Sequence, residues 1–319
     1  MNQFLNEIKQ ASTIAISGHE RPDGDCVGSC LGLYNYITEN YKEKKVSLFL
    51  DPIKESFSYI AHFDKVQEEL EEEAKYDLVI VLDCGDIERL GKRSKLFYQG
   101  NRTVCIDHHI TNTGFSDVCI IDAKASSTCE VLFEQLELEA ISHNVAVALY
   151  TGIIHDTGVL KFSNTSKRTL QIVGELVEKG VDTAKIIDDS FFQKTYVQNQ
   201  ILGRALLESV LVLDGKCIYS EIKHKYFEFY EATSADLSGI IDQLRITKGV
   251  EVAILATEKE PGQYKVSMRS NGKVDVSVIA SYFGGGGHIK ASGCTMSGSI
   301  YDVINNLTLH IERQLNGET

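Results

Sequence analysis

Short apolar runs that close on acidic or imidazole side chains recur through the N-terminal half of the chain. Residues 13–17 form one such run and predict a strand that ends at His19. A helical pattern follows over 28–39 and a second strand over 46–50. Residues 76–82 are apolar almost without a break, as expected of a parallel strand buried on both faces. Residues 102–106 repeat the pattern, and 118–121 read as an edge strand. The segment 144–154 is apolar on more than one side, which predicts a buried helix. Strand and helix in alternation predict a parallel α/β sheet.

The rhythm changes near Asp182. Residues 182–208 carry a helical period through Ile186, Ile187, Phe191, Phe192, Tyr196, Ile201 and Leu202, which suggests a connector between domains. Strands are then expected over 210–213, 216–221, about 250–257 and 263–270, followed by helices. The expected organisation is an N-terminal α/β domain over 1–187, a helical connector over 188–208 and a smaller α/β domain over 209–319. No internal repeat or low-complexity segment interrupts it.

Composition narrows this picture. A chain of 319 residues with 43% hydrophobic side chains can fill about two domain cores. The polar N-terminus and the lack of any apolar run of about 18 residues predict a soluble, cytoplasmic protein without a membrane segment. Eight cysteines are scattered without a CxxC pair, so free thiols in a reducing compartment are expected. The net charge of −13 argues against a protein that tracks long or duplex nucleic acid, which needs a basic face. A short substrate held by metals and a few cations fits better. The charge run Glu68 to Glu73 reads as a solvated helix face.

Four clusters carry the candidate chemistry: His19 with Asp23 and Asp25; Asp83-Cys84-Gly85-Asp86; Asp107-His108-His109; and His155-Asp156. Each closes an apolar segment. In open α/β sheets ligands bind beyond the carboxyl ends of the strands, so the clusters are expected to converge on one crevice. Buried charge of this kind needs a partner, and divalent cations supply it. Asp23 and Asp25, two apart on an extended loop, can reach neighbouring sites, although one such loop alone would read as a helix cap. Asp83 ends the most apolar strand, placed to bridge two cations. Asp86 is read as a cap of the helix that follows, which would leave Arg89 facing the crevice. Adjacent imidazoles on an extended chain point to opposite sides. His108 is therefore assigned to the metal and His109 to the substrate phosphate or leaving group, with Asp107 holding an imidazole from behind. Ser126, Ser127 and Thr128 are read as the cap of a helix over 130–136. Gly284 to His288, with Arg269 on the strand before, points to phosphate or nucleotide binding through Arg269, Gly286, Gly287 and His288.

In order and spacing, these motifs resemble the DHH/DHHA1 phosphoesterase superfamily over nearly the whole chain, and in detail its oligoribonuclease/pAp phosphatase branch. The resemblance implies an N-terminal parallel-sheet DHH domain joined to a smaller α/β DHHA1 domain that grips the nucleotide end. It implies two Mn²⁺ ions, with Mg²⁺ as a substitute: one held by His19, Asp23 and Asp83, the other by Asp25, Asp83, His108 and Asp156. It further implies short RNA oligonucleotides and nucleotide 3′,5′-bisphosphates as substrates, and a homodimer. Linear pApA or cyclic di-AMP is the alternative substrate; a single-strand DNA exonuclease, a manganese pyrophosphatase and a non-catalytic nucleotide sensor fit less well. Two positions depart from the pattern. His155 stands where a small polar residue is usual and offers itself as an additional ligand; Cys26 stands where alanine is frequent.

Overall fold

A computed structural model describes residues 3–70 and 74–317. The chain forms two compact units that divide after Gln193. The first unit holds a six-stranded sheet of β1 (Thr13–Gly18), β2 (Lys45–Phe49), β3 (Val66–Gln67), β4 (Tyr76–Leu82), β5 (Gly100–Asp107) and β6 (Val118–Ile121). All of its pairings are parallel, in the order β3-β2-β1-β4-β5-β6. The chain moves outward from β1 to β3, then returns to lay β4 against the other side of β1. That reversal opens a crevice at the carboxyl ends of β1 and β4, where such sheets take their ligands.

Helices α1 (Gln3–Gln10), α2 (Gly24–Asn40), α3 (Ser94–Phe97), α4 (Thr128–Phe133), α5 (His143–Asp156), α6 (Lys167–Glu178) and α7 (Thr183–Ile187) complete the unit. The main core joins Ile14, Ile16, Ile80 and Leu82 to α2 and α5 on one face. Ala15, Val79 and Val81 pack with Leu90, Leu96 and Phe97 on the other. Period-two alternation thus buries both faces of the central strands.

Several elements differ from the pattern read in sequence. α2 starts at Gly24, four residues before the apolar period, because the Asp23 side chain accepts hydrogen bonds from the Asp25 and Cys26 amides. Glu68 and Glu69 lie exposed in a bend after β3, not on a helix; residues 71–73 of that charge run lie outside the described residues. The helical stretch over 182–208 is broken: a π-turn over Asp188–Phe192 follows α7, and Thr195 caps a new helix, α8 (Tyr196–Leu207).

The second unit begins at Lys194 and includes α8. Its sheet takes β7 (Val210–Val212), β8 (Cys217–Ile222), β9 (Val252–Glu260), β10 (Gln263–Ser270), β11 (Gly286–His288) and β12 (Ala291–Ser297) in the order β11-β12-β10-β9-β8-β7. Only β8 and β9 pair in parallel, so the sheet is mixed. Helices α8, α9 (His224–Tyr230) and α10 (Ile240–Arg245) cover one face through Ala253 and Leu255. Helices α11 (Val276–Tyr282) and α12 (Ile300–Leu315) cover the other through Ile254, Val266 and Met268. The end of this unit is therefore not purely helical: the β11–β12 hairpin lies between its last two helices.

No helix among the described residues is long and apolar enough to cross a membrane. All eight cysteines are free; Cys119 on β6 is exposed and the other seven are buried.

Candidate metal centre

β1 ends at Gly18 and delivers His19, which is 4% exposed, to the crevice. Its Nδ1 lies 2.8 Å from the Glu20 carbonyl oxygen. A carbonyl can only accept, so Nδ1 carries the proton in the neutral ring and the Nε2 lone pair faces inward. Nε2 stands 3.7 Å from Asp23 Oδ1 and 3.5 Å from Asp83 Oδ2. Burial would lower the His19 pKa, but these carboxylates outweigh it and raise it. Burial opposes the reverse effect on Asp23, whose pKa His19 nonetheless draws down to about 2.

Asp83 follows β4 with a left-handed backbone (φ 55°) and is almost fully buried. Its carboxylate points both ways. While Oδ2 faces His19, Oδ1 lies 3.7 Å from His108 Nε2 and accepts a 2.9 Å hydrogen bond from the Thr128 hydroxyl.

His108, after β5, gathers the rest: its Nε2 is 3.2 Å from Asp156 Oδ2 and 3.9 Å from Asp25 Oδ2. Asp25 lies in the first turn of α2 rather than on a loop, and is wholly buried. Its two oxygens accept the Thr128 amide at 2.6 Å and the Cys129 amide at 3.0 Å, at the start of α4. Asp156 is the last residue of α5 rather than part of the turn beyond it. Burial first, then Asp83 and Asp156, pushes the Asp25 pKa well up. Burial first, then Asp83 and Asp23, pushes Asp156 up to about 7. These acids therefore need a positive partner to be fully ionised.

His109 also lies near Asp83, with its Nδ1 3.7 Å from Oδ1, but that nitrogen is engaged by Asp107. His109 Nδ1 donates to Asp107 Oδ1 at 2.8 Å, while Asp107 Oδ2 accepts from Asn112 Nδ2 at 2.8 Å. That bond raises the His109 pKa, and the ring stays 40% exposed.

The donor set fits two divalent cations. Apart from His108–Asp156 at 3.2 Å, the facing atoms stand 3.5–3.9 Å apart, long for hydrogen bonds yet close enough to share a cation. Three such groups form among the described residues: His19 with Cys26 and Asp83, Asp83 with His108 and His109, and Asp25 with His108 and Asp156. His155 is not among them. Its Nε2 lies 3.0 Å from Ser190 Oγ, its ring packs between Phe57 and Phe191, and burial lowers its pKa to about 4. The additional ligand read from sequence is a neutral packing residue.

Asp86 accepts the Arg89 amide at 2.8 Å and so caps a 3₁₀ turn, with the Arg89 side chain exposed. Ser127 caps α4 through the Glu130 amide. Sequence reasoning did not single out Thr128 for Asp83, nor Asn112 for Asp107. An Asn five residues beyond Asp107 was the one local signal; Thr128 reaches Asp83 only through the fold.

The remaining candidates lie in the second unit. Arg269 on β10 pairs with Ala291 on β12, which pairs with His288 on β11. One cross-strand row therefore puts Arg269 and His288 on one face, with a small residue between them. Gly286, Gly287 and His288 are all exposed. At Gly285 and Gly287 a Cβ would come within 2.2 and 2.5 Å of backbone oxygens of β12, so the glycines let the hairpin close. A nearby crevice of ≈ 560 Å³ is lined by Lys265, Phe283, Gly284, Gly285, Gly286 and Thr295.

The model of the DHH family, N-terminal domain, matches residues 13–153, and that of the DHHA1 domain matches 214–317. The chain is 30% identical over 300 residues to the bifunctional oligoribonuclease and PAP phosphatase NrnA of Bacillus subtilis, covering 92% of each chain. It is 31% identical to the probable NrnA of Streptococcus mutans, over 95% of this chain and 97% of that one. The cyclic-di-AMP phosphodiesterase GdpP of Geobacillus thermodenitrificans is 26% identical over 91% of this chain, but only 45% of its own length is covered. Among solved structures, an exopolyphosphatase-related protein from Bacteroides fragilis shares the fold, with a TM-score of 0.83, 23% identity, and coverage of 97% and 94%.

Proposed function

The chain belongs to the DHH family of phosphoesterases, with a DHHA1 domain following, and from that premise we propose that it hydrolyses very short RNA oligonucleotides to mononucleotides. We also propose a 3′-phosphatase activity on 3′-phosphoadenosine 5′-phosphate, pAp. The observation that carries the phosphoesterase reading is Asp83: one oxygen faces His19, which also faces Asp23, and the other faces His108, which also faces Asp25 and Asp156. Coverage favours the oligoribonuclease branch, since this chain matches NrnA relatives nearly end to end and the cyclic-di-AMP enzyme over less than half. Hydrolysis of linear pApA or cyclic di-AMP at the same site is the second reading.

Divalent cations held there would supply Lewis-acid polarisation of the phosphoryl oxygen and an acidified water as nucleophile. His19, Asp23 and Asp83 would hold one; Asp25, Asp83, His108 and Asp156 the other. Mixed imidazole and carboxylate donors suit Mn²⁺ better than Mg²⁺, which favours oxygen-only shells. His109, its Nδ1 proton committed to Asp107, is left with Nε2 for the substrate. As an imidazolium it donates Nε2–H to the charge that develops on the phosphoryl or leaving oxygen. Asp107 fixes the ring and favours its charged form. Thr128 holds the Asp83 oxygen that faces His108.

Arg269, Gly286, Gly287 and His288 are proposed as contacts for the nucleotide's terminal phosphate. The net charge of −13 supports capture of short strands over long ones. Eight free cysteines suit a cytoplasmic enzyme. Exposed Leu207 and Leu211 beside the edge strand β7 offer an apolar face for a homodimer.

The test is chromatography of products from a Mn²⁺-supplemented panel: RNA dinucleotide, longer RNA oligonucleotides, pAp, pApA, cyclic di-AMP and pyrophosphate. Fast mononucleotide release from the shortest RNAs, with pAp also cleaved, supports the proposal. Preference for pApA or cyclic di-AMP moves the chain to the second reading, and bound metal without cleavage of any substrate refutes both. In the same assay Arg269→Ala should raise KM for the dinucleotide by about tenfold, the loss of one charge-assisted contact. An unchanged KM would remove Arg269 from the substrate site.

A further inference from the structure

Beyond the His and Asp donors, a sulfur atom lies at the first cation position. Cys26 follows Asp25 in the first turn of α2 and is fully buried. One ligand atom from each of His19, Cys26 and Asp83 can be chosen so that all lie within 4.8 Å of one another. The sulfur has room because β1 ends in glycine: a Cβ on Gly18 would stand 2.3 Å from Cys26 Sγ and 3.1 Å from the Leu82 carbonyl oxygen. Sulfur thus packs directly on the backbone that leads into His19, next to the end of β4 that leads into Asp83. Cys30 Sγ stands 3.2 Å from the same point but belongs to no candidate ligand group. Burial, then the neighbouring Cys30, pushes the Cys26 thiol pKa well up, so the sulfur of the metal-free chain is a thiol.

We propose that Cys26 is a sulfur ligand at the His19–Asp83 cation position and biases that position toward thiophilic divalent cations such as Co²⁺, Zn²⁺ and Cd²⁺. This rests on the two-cation reading of the site. Imidazole and carboxylate alone are shared by Mn²⁺ and its neighbours, whereas a thiolate selects the softer ions. On coordination the thiol proton passes to solvent as the sulfur–metal bond forms, with no change of oxidation state. The two positions then differ in kind: the His19 side has nitrogen, oxygen and sulfur, the His108 side nitrogen and oxygen only.

The test is optical. The metal-free full-length chain is titrated with Co²⁺ and read by absorption, with bound cobalt counted by elemental analysis. A sulfur-to-cobalt charge-transfer band in the near ultraviolet is expected in the wild-type chain. It should vanish in Cys26→Ala and in Cys26→Ser, while both variants retain bound cobalt and its visible ligand-field bands. Cys30→Ala should keep the charge-transfer band. The serine variant guards against packing loss in the alanine one, and circular dichroism checks both folds. Cobalt bound to the wild type without the band, or a band that survives in both Cys26 variants, overturns the proposal and leaves the two-cation site intact. A wild-type chain that binds no cobalt, manganese or zinc refutes the underlying reading as well.

Discussion

Asp83 concentrates the chemistry of the site into one residue. Its left-handed backbone suits Asp or Asn, whose short polar side chains tolerate that region. Asp83→Asn therefore keeps shape and backbone while removing the charge that faces both imidazoles. The variant is expected to lose both cations by elemental analysis and at least about 100-fold in turnover. Retention of either cation at wild-type affinity would show that Asp83 does not bridge. Residues such as His19, Asp83 and His108 were legible in sequence because each closes an apolar run, and a strand's end is where a parallel sheet presents ligands. Asp23 was legible in both of its aspects, cap and candidate ligand, since one oxygen caps α2 and also faces His19. Thr128 was not legible for Asp83, because a hydroxyl 45 residues away carries no local signature. His155 misled for the opposite reason: its sequence neighbour is a candidate ligand, but helix geometry sends adjacent side chains about 100° apart.

At the scale of elements, the two helices that carry Asp25 and Asp156 meet along a seam of small residues. A Cβ on Gly28 would lie 2.5 Å from the Ala148 carbonyl oxygen, and one on Gly152 would lie 2.2 Å from Cys129 Sγ and 2.8 Å from Asp25 Oδ1. Gly28→Ala must push α2 from α5 and should cost about 1–3 kcal/mol, measured by chemical denaturation. Because α2 bears Asp25 and α5 ends in Asp156, cation affinity should fall with stability although no ligand is altered. A variant of wild-type stability and affinity would contradict the tightness of this seam. The alternation of strand and helix was readable throughout the first unit, since a two-faced apolar strand and an amphipathic helix differ in period. Helix starts were less readable: capping moved α2 four residues upstream of its apolar pattern. The break between α7 and α8 hid behind a continuous helical period, and only the Thr195–Gln198 capping box marks it.

Across the whole molecule, the buried acids make stability depend on pH and metal together. Asp156 rises from 3.8 to about 7, chiefly through burial. Below the lower value the carboxyl is neutral folded or unfolded; between the two values unfolding gains an ionised group that the fold resists. The metal-free protein should therefore lose stability as pH rises through this window. Cations compete with the proton for the same oxygens, so the rise in Tm on adding Mn²⁺ should be larger at about pH 8 than at about pH 6. Equal shifts at both would argue against acids held protonated by burial. The distribution of thiols has a practical consequence of its own. One of eight cysteines, Cys119, is exposed. A thiol-reactive dye should thus stain a single sulfur of the metal-free native chain quickly and all eight once the fold opens, giving the molecule a built-in counter of its own unfolding without any introduced label.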